Sequence, residues 1–363
     1  MKKTLFTFVF SLLVLCNLQA QDNKVVWITI DGLRWQEVYG GADTLLIKNQ
    51  DFVQDVPSTC ERFLRTDAKA GRERLMPFLW SQQSIKVGNR CLGSKMNVTN
   101  AFNLSYPGYS EAMCGYADNE RINSNKPIYN PNENVLEVVA RDKRYQGKVL
   151  AFAGWDCFPY IINEQRNKLE VNAGYRTSMS PKPTDVEKTV DTLLKEVIPQ
   201  FEGERDDAFT FLYALEAMKS RHPDLLYLAL CDADEYGHSG LYDGYLRSIE
   251  RVDRLIKELW EYTQSDPYYR GKTTFIVTCD HGRGDNACNP REWRSHGKKY
   301  AHSDETWVMA FGAQVSKFGE LSSGQYYTCQ LAPTIARLMG VTFQPEGVEL
   351  KPAFDFFTYP KTK

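Results

Sequence analysis

The run "KVVWITIDG", Lys24 to Gly32, decides how the chain is read. Its residues are β-branched or apolar without clean alternation, and they stop at Asp31 and a glycine. An unbroken apolar run of this length suits a strand covered on both faces, the usual state of a parallel strand in an α/β fold. Two further runs share the design. "LLYLAL" (225–230) leads through Cys231 to Asp232 and Asp234, and "TTFIVTC" (273–279) leads to Asp280. Between and after them, apolar residues recur at three and four over 183–201 and 245–263, and a last helix is expected over 329–340, ended by Gly340. Strands alternating with helices predict an α/β fold with a mostly parallel central sheet and helices on both faces. Such sheets bind ligands beyond the carboxyl ends of their strands, so the acidic residues at those ends are expected to converge on one site. The Asn-rich, Pro-containing stretch 119–134 reads as a long loop that shapes it.

The chain has 363 residues, 42% hydrophobic and 25% charged, with a formal net charge of -2. This is an ordinary globular composition, and without a sustained basic stripe it disfavours nucleic acid as the main partner. Residues 1–20, "MKKTLFTFVFSLLVLCNLQA", carry Lys2 and Lys3, an apolar stretch and a small residue at Ala20. They read as a signal peptide cleaved after Ala20; Leu15 is too bulky for the lipoprotein alternative at Cys16. The expectation is an exported protein, periplasmic or secreted, with residues 21–363 as one catalytic domain and no stable membrane anchor. The eight remaining cysteines form no CxxC pair, and no disulfide pairing is assigned. Cys231 and Cys279, at strand ends, are expected to be buried thiols.

The chemistry is concentrated after the strands. In "FIVTCDHGRGD", Asp280 and His281 stand side by side where the backbone leaves the sheet, and both residue types ligate zinc or manganese. In "CDADEYGHSG", Asp234 and His238 are four apart across a glycine, which predicts a tight loop folding the His back beside the carboxylate. Asp31 ends the first strand, and "REWRSHGKKYAHSDETWVMAFG" adds His296 and His302. The chain has only five His, so this gathering favours metal over scattered surface roles. Carboxylates and imidazoles suffice for two divalent ions, the usual clamp for displacement at phosphorus. In "NLSYPGYSEAMCG", Ser105 precedes Pro107 and Gly108, and the stretch alone reads equally as a capped helix start.

Taken in order, "DG", "SYPGY", "DEYGH", "CDHGRG", "SHG" and "APTIARLMG" resemble the alkaline phosphatase superfamily over residues 24 to about 345. The set is most similar to the nucleotide pyrophosphatase/phosphodiesterase-like branch and its bacterial exported relatives. The resemblance implies Ser105 as nucleophile, with one ion on Asp234, His238 and His296. It implies a second ion on Asp31, Ser105, Asp280 and His281, zinc first and manganese second. Asn125 corresponds to the Asn that binds a phosphoryl oxygen, with Asn123 as the weaker match. His296, followed by Gly297, fits the last metal position better than His302, and Asp234 fits better than Asp232. The sulfatase signature is absent, because Gly and Tyr stand where its Arg belongs. The implied function is an exported phosphohydrolase that cleaves a small-molecule phosphate mono- or diester through a phosphoseryl intermediate. The alternatives are a phosphoglycerate mutase-like phosphotransferase and a catalytically inactive secreted binding protein. Neither the ester class nor the oligomeric state is legible here.

Overall fold

The first strand, β1 (Lys24–Ile30), is extended because β-branched and aromatic side chains fit a pleated surface, and all of its residues are buried. The computed structural model describes residues 22–285 and 289–360. The expected signal peptide lies outside the described residues. Ten further strands follow: β2 (Ser84–Val87), β3 (Lys95–Asn97), β4 (Val149–Ala153), β5 (Val171–Ala173), β6 (Leu225–Leu230), β7 (Thr273–Thr278), β8 (Glu305–Thr306), β9 (Val308–Gly312), β10 (Gly319–Glu320) and β11 (Gln325–Tyr327). Eight of them form one sheet in the order β10-β2-β9-β7-β1-β6-β4-β5, and β11, β3 and β8 form a small second sheet. In the large sheet only β9 runs antiparallel to its neighbours β2 and β7. Asp31 follows Ile30, which pairs with Leu230, and Thr29 pairs with Thr278. The register therefore sets the acidic ends of β1, β6 and β7 along one edge.

The helices that bear on the site are α1 (Ser105–Cys114), α2 (Asp185–Glu196), α3 (Asp207–Arg221), α4 (Asp232–Ser239), α5 (Tyr242–Ser265) and α6 (Leu331–Leu338). Strand alternation sends Val26, Ile28 and Ile30 to one face, where they pack with Phe211 of α3 and Leu246, Ile249 and Val252 of α5. Val25 and Trp27 point to the other face, against Tyr106, Tyr109 and Met113 of α1 and Ile335 of α6. Each large apolar side chain buried this way contributes about 1.5–3 kcal/mol, so both layers hold the sheet.

Two expectations change. The helix expected over 183–201 ends at Glu196, with Pro199 soon after to prevent its continuation. The "DADEYGHS" segment is an α-helix, α4, and not a tight loop. Positions four apart then share one helical face, which brings His238 to Asp234 without any fold-back. Helix α3 was not anticipated. Seven described cysteines are free thiols, with Cys231 and Cys279 buried. Among the described residues, no helix is long and apolar enough to cross a membrane.

Candidate active site

Ser105 is the first residue of α1, one position inside the N-cap Leu104. Its Oγ lies 3.2 Å from His281 Nε2. Helix α1 comes this close because position 108 is glycine: a Cβ there would collide with the carbonyl oxygen of Asp280. The loop 119–134 returns over the start of the helix, and Asn125 Oδ1 accepts the Tyr106 N–H at 3.0 Å. That bond turns the amide so that Nδ2 is its remaining donor beside Ser105. Asn123 spends its Nδ2 on the Glu120 carbonyl at 3.2 Å.

Asp31, Asp280 and His281 form one group of donor atoms, all mutually within 4.8 Å. His281 Nε2 is 3.3 Å from Asp31 Oδ1 and 3.3 Å from Asp280 Oδ2. On the other side of the ring, Nδ1 donates to the Gly282 carbonyl at 2.8 Å, which leaves the Nε2 lone pair for a cation. Tyr109 Oη donates to Asp31 Oδ2 at 3.0 Å, and the Gly32 N–H donates to Asp280 Oδ1 at 3.1 Å. The other oxygens, Asp31 Oδ1 and Asp280 Oδ2, are buried with no hydrogen-bond donor.

Asp234, His281 and His296 form the adjoining group. His238 Nε2 lies 2.9 Å from Asp234 Oδ2 and 3.1 Å from His296 Nε2. His296 Nδ1 donates to the Asn103 carbonyl at 2.9 Å, and its ring stacks on His281 with centroids 3.8 Å apart. The ring nitrogens therefore run in a row from Ser105 through His281 and His296 to His238.

Arg283, whose importance the sequence did not signal, is fully buried and ion-paired with Asp234 Oδ1. Its Nε donates to the Trp293 carbonyl at 2.8 Å and its Nη2 to the Arg294 carbonyl at 2.5 Å. Two glycines make room for it. A Cβ at Gly237 would stand 2.8 Å from Arg283 Cζ, and one at Gly32, whose φ is +57°, would collide with Asp234. Tyr109 was the other partner missed; both residues stand inside quoted motifs, but their contacts cross long stretches of sequence. His302 sits apart, with Nε2 2.9 Å from Asp285 and Nδ1 3.0 Å from Glu305. Asp232 also turns away, paired with Arg251.

The charge balance is decisive. Burial pushes His281 down to about 4 and depresses His296 further. Three buried acidic groups, Asp31, Asp234 and Asp280, share the site with the buried guanidinium of Arg283 and with His238, whose pKa the Asp234 carboxylate raises. Burial, reinforced by neighbouring carboxylates, raises Asp31 and Asp280 well above the usual range. Burial would raise Asp234 as well, but Arg283 first and His238 second override it and hold Asp234 well below that range. Carboxyl groups crowded in the interior, two of their oxygens without donors, and three imidazole nitrogens turned toward them are what a pair of divalent cations requires.

A mostly parallel sheet with carboxylates and imidazoles gathered at its carboxyl edge defines a metalloenzyme of the alkaline phosphatase type. Residues 159–340, half of the chain, match the family model of the Metalloenzyme superfamily, and the chain belongs to that superfamily. Over 145 residues it is 28% identical to the 2,3-bisphosphoglycerate-independent phosphoglycerate mutase of Francisella tularensis subsp. novicida, covering 39% of this chain and 25% of the mutase. The chain thus spans a quarter of that curated relative. Among solved structures, the lipoteichoic acid synthase LtaP from Listeria monocytogenes superposes with a TM-score of 0.59 at 9% identity, over 93% of this chain and 76% of LtaP. Murine ectonucleotide pyrophosphatase/phosphodiesterase 5, in complex with AMP, superposes with a TM-score of 0.54 at 12% identity, over 93% and 100%. At these identities the likeness is one of fold.

Proposed function

We propose that this protein is an exported phosphohydrolase that uses two divalent cations, zinc before manganese, to cleave phosphate mono- or diesters through a phosphoseryl intermediate on Ser105. The carrying observation is the placement of Ser105 Oγ, 3.2 Å from His281 Nε2, at the start of α1 and beside the uncompensated carboxylates. Asp31, Ser105, Asp280 and His281 would hold one cation, and Asp234, His238 and His296 the other. Together the cations would supply Lewis-acid stabilisation of charge on the attacking and departing oxygens.

The chain's own groups account for the remaining work. Backbone N–H groups at the start of α1 and the Asn125 amide would bind nonbridging oxygens as charge builds on them. Ser105 Oγ forms its bond to phosphorus while the bond to the leaving oxygen breaks with its electron pair. The hydroxyl proton passes to solvent. Water then attacks the phosphoserine and loses its proton to solvent, Ser105 is restored, and inorganic phosphate departs from a monoester substrate or a phosphate monoester from a diester. Export rests on the composition of residues 1–20, and N-terminal sequencing of the protein from a periplasmic fraction tests it by finding, or failing to find, cleavage after Ala20.

The identity to phosphoglycerate mutase favours one other reading, transfer of the phosphoryl group within a small phosphorylated acid. A panel of aryl phosphate mono- and diesters, with 3-phosphoglycerate alongside, separates the two in zinc and in manganese. Release of the phenol, together with inorganic phosphate from a monoester or an aryl phosphate from a diester, supports hydrolysis. Conversion of 3-phosphoglycerate to its 2-isomer without phosphate release supports the mutase, and no turnover of any substrate rejects both.

A further inference from the structure

Beyond His238 the row of imidazoles opens into a cavity of about 300 Å³, lined by His238, Asn289, Arg291, Glu292, Arg294, Ser295 and Tyr300. We propose that this cavity is a leaving-group subsite, selecting phosphate esters whose leaving group carries its own negative charge, a carboxylate or a second phosphate. The inference rests on the phosphoryl-transfer reading above and adds the substrate class to it.

Three observations carry it. The first is position. In-line displacement puts the leaving oxygen on the face of phosphorus opposite the nucleophile, and the row from Ser105 to His238 ends at this cavity. The second is charge: two guanidiniums and two hydroxyls line the space against the one carboxylate of Glu292. Guanidinium donors in a fork match a carboxylate or phosphate better than any neutral group. The third is that Arg294 is built in place. Its Nη2 donates to the His238 carbonyl at 3.1 Å, and its own carbonyl accepts the Arg283 Nη2 at 2.5 Å. Gly240 leaves room for it, since a Cβ there would stand 2.8 Å from Arg294 Nε. Among the described residues, the His238 carbonyl is the one protein acceptor of the Arg294 guanidinium, which lines the cavity. Arg291, on the same lining, pairs with Asp51 at 3.6 Å on the exposed side of the cavity. The volume lies at the small end of ligand cavities, which fits a compact leaving group.

The test compares 4-carboxyphenyl phosphate with its methyl ester, a neutral analogue of nearly the same shape. The esterified phenol is the better leaving group, so preference for the acid cannot come from intrinsic reactivity. The expected result is a kcat/KM for the acid at least about tenfold above that for the ester, carried mainly by KM. In R294A the ratio falls toward one, and R294K, which keeps a point charge, recovers part of it. In the wild type, 4-hydroxybenzoate should inhibit more strongly than phenol. Turnover of both esters at equal kcat/KM by the wild-type protein would overturn the subsite and leave the phosphohydrolase intact. Turnover of neither, in zinc or in manganese, would instead overturn the phosphohydrolase reading. If R294A fails to fold, the wild-type ratio and R294K still decide the matter.

Discussion

Asp234 can meet a cation with only one of its oxygens, because Arg283 occupies the other. The same guanidinium fastens the Trp293 and Arg294 carbonyls, and so the segment that delivers His296. Replacing Arg283 with Met should therefore release both Asp234 and His296. Bound metal, measured by mass spectrometry after dialysis, should fall by about one ion per chain, with R283K restoring part of it. Gly237→Ala should push a methyl group into the guanidinium and destabilise the fold by about 1–3 kcal/mol, read as a lower Tm. An unchanged Tm would mean that Arg283 yields easily. The Asp234–His238 pair was visible in the sequence from its spacing across a glycine, although it was read as a fold-back loop and is one turn of helix. Its arginine was not, since an ion pair across 49 residues leaves no local pattern.

Helix α1 does its part by approaching closely, and one glycine permits the approach. Gly108→Ala should lift the helix from Asp280, move Ser105 by a fraction of its reach, and lower kcat about 100-fold while metal content holds. Equal kcat in that variant would show that the hydroxyl is not positioned by this contact. At this scale the sequence was uneven. β1, β6 and β7 were legible because they are buried on both faces and read as unbroken apolar runs. Helix α3 was missed because it is buried on nearly every side, so its apolar residues show no clear stripe. The two-residue strands β8 and β10 exist only through their partners, and nothing local announces them. The segment 232–239 was misread as a loop because Gly237 suggested a break; tertiary packing against Arg283 keeps it helical.

At the site, buried acidic groups outnumber the cationic side chains that face them, and pH exposes this. Asp31 and Asp280 have folded-state values raised well above their unfolded ones by burial first and neighbouring carboxylates second. These two groups stabilise the metal-free fold at low pH, and that contribution is lost as pH rises through the raised values. Asp234 is depressed, so its contribution is lost only in strong acid and does not vary above the ordinary carboxylate range. A cation must displace the protons on Asp31 and Asp280. The Tm difference between zinc-loaded and chelator-treated protein should therefore widen from about pH 5 to pH 8. A difference independent of pH would mean that the cations bind elsewhere. The converging strand ends were legible as a whole, since three apolar runs each finish in an aspartate. The row of rings from Ser105 to His238 was not, because stacking between His281 and His296 joins segments that only the folded sheet brings together. The account's central claim is that Ser105 carries the phosphoryl group, and acid quenching during turnover of an aryl phosphate, followed by peptide mass spectrometry, tests it most directly. It predicts one phosphoryl group on the peptide containing Ser105 and no turnover in Ser105→Ala that retains its metal; an unmodified peptide together with an active Ser105→Ala variant would contradict it.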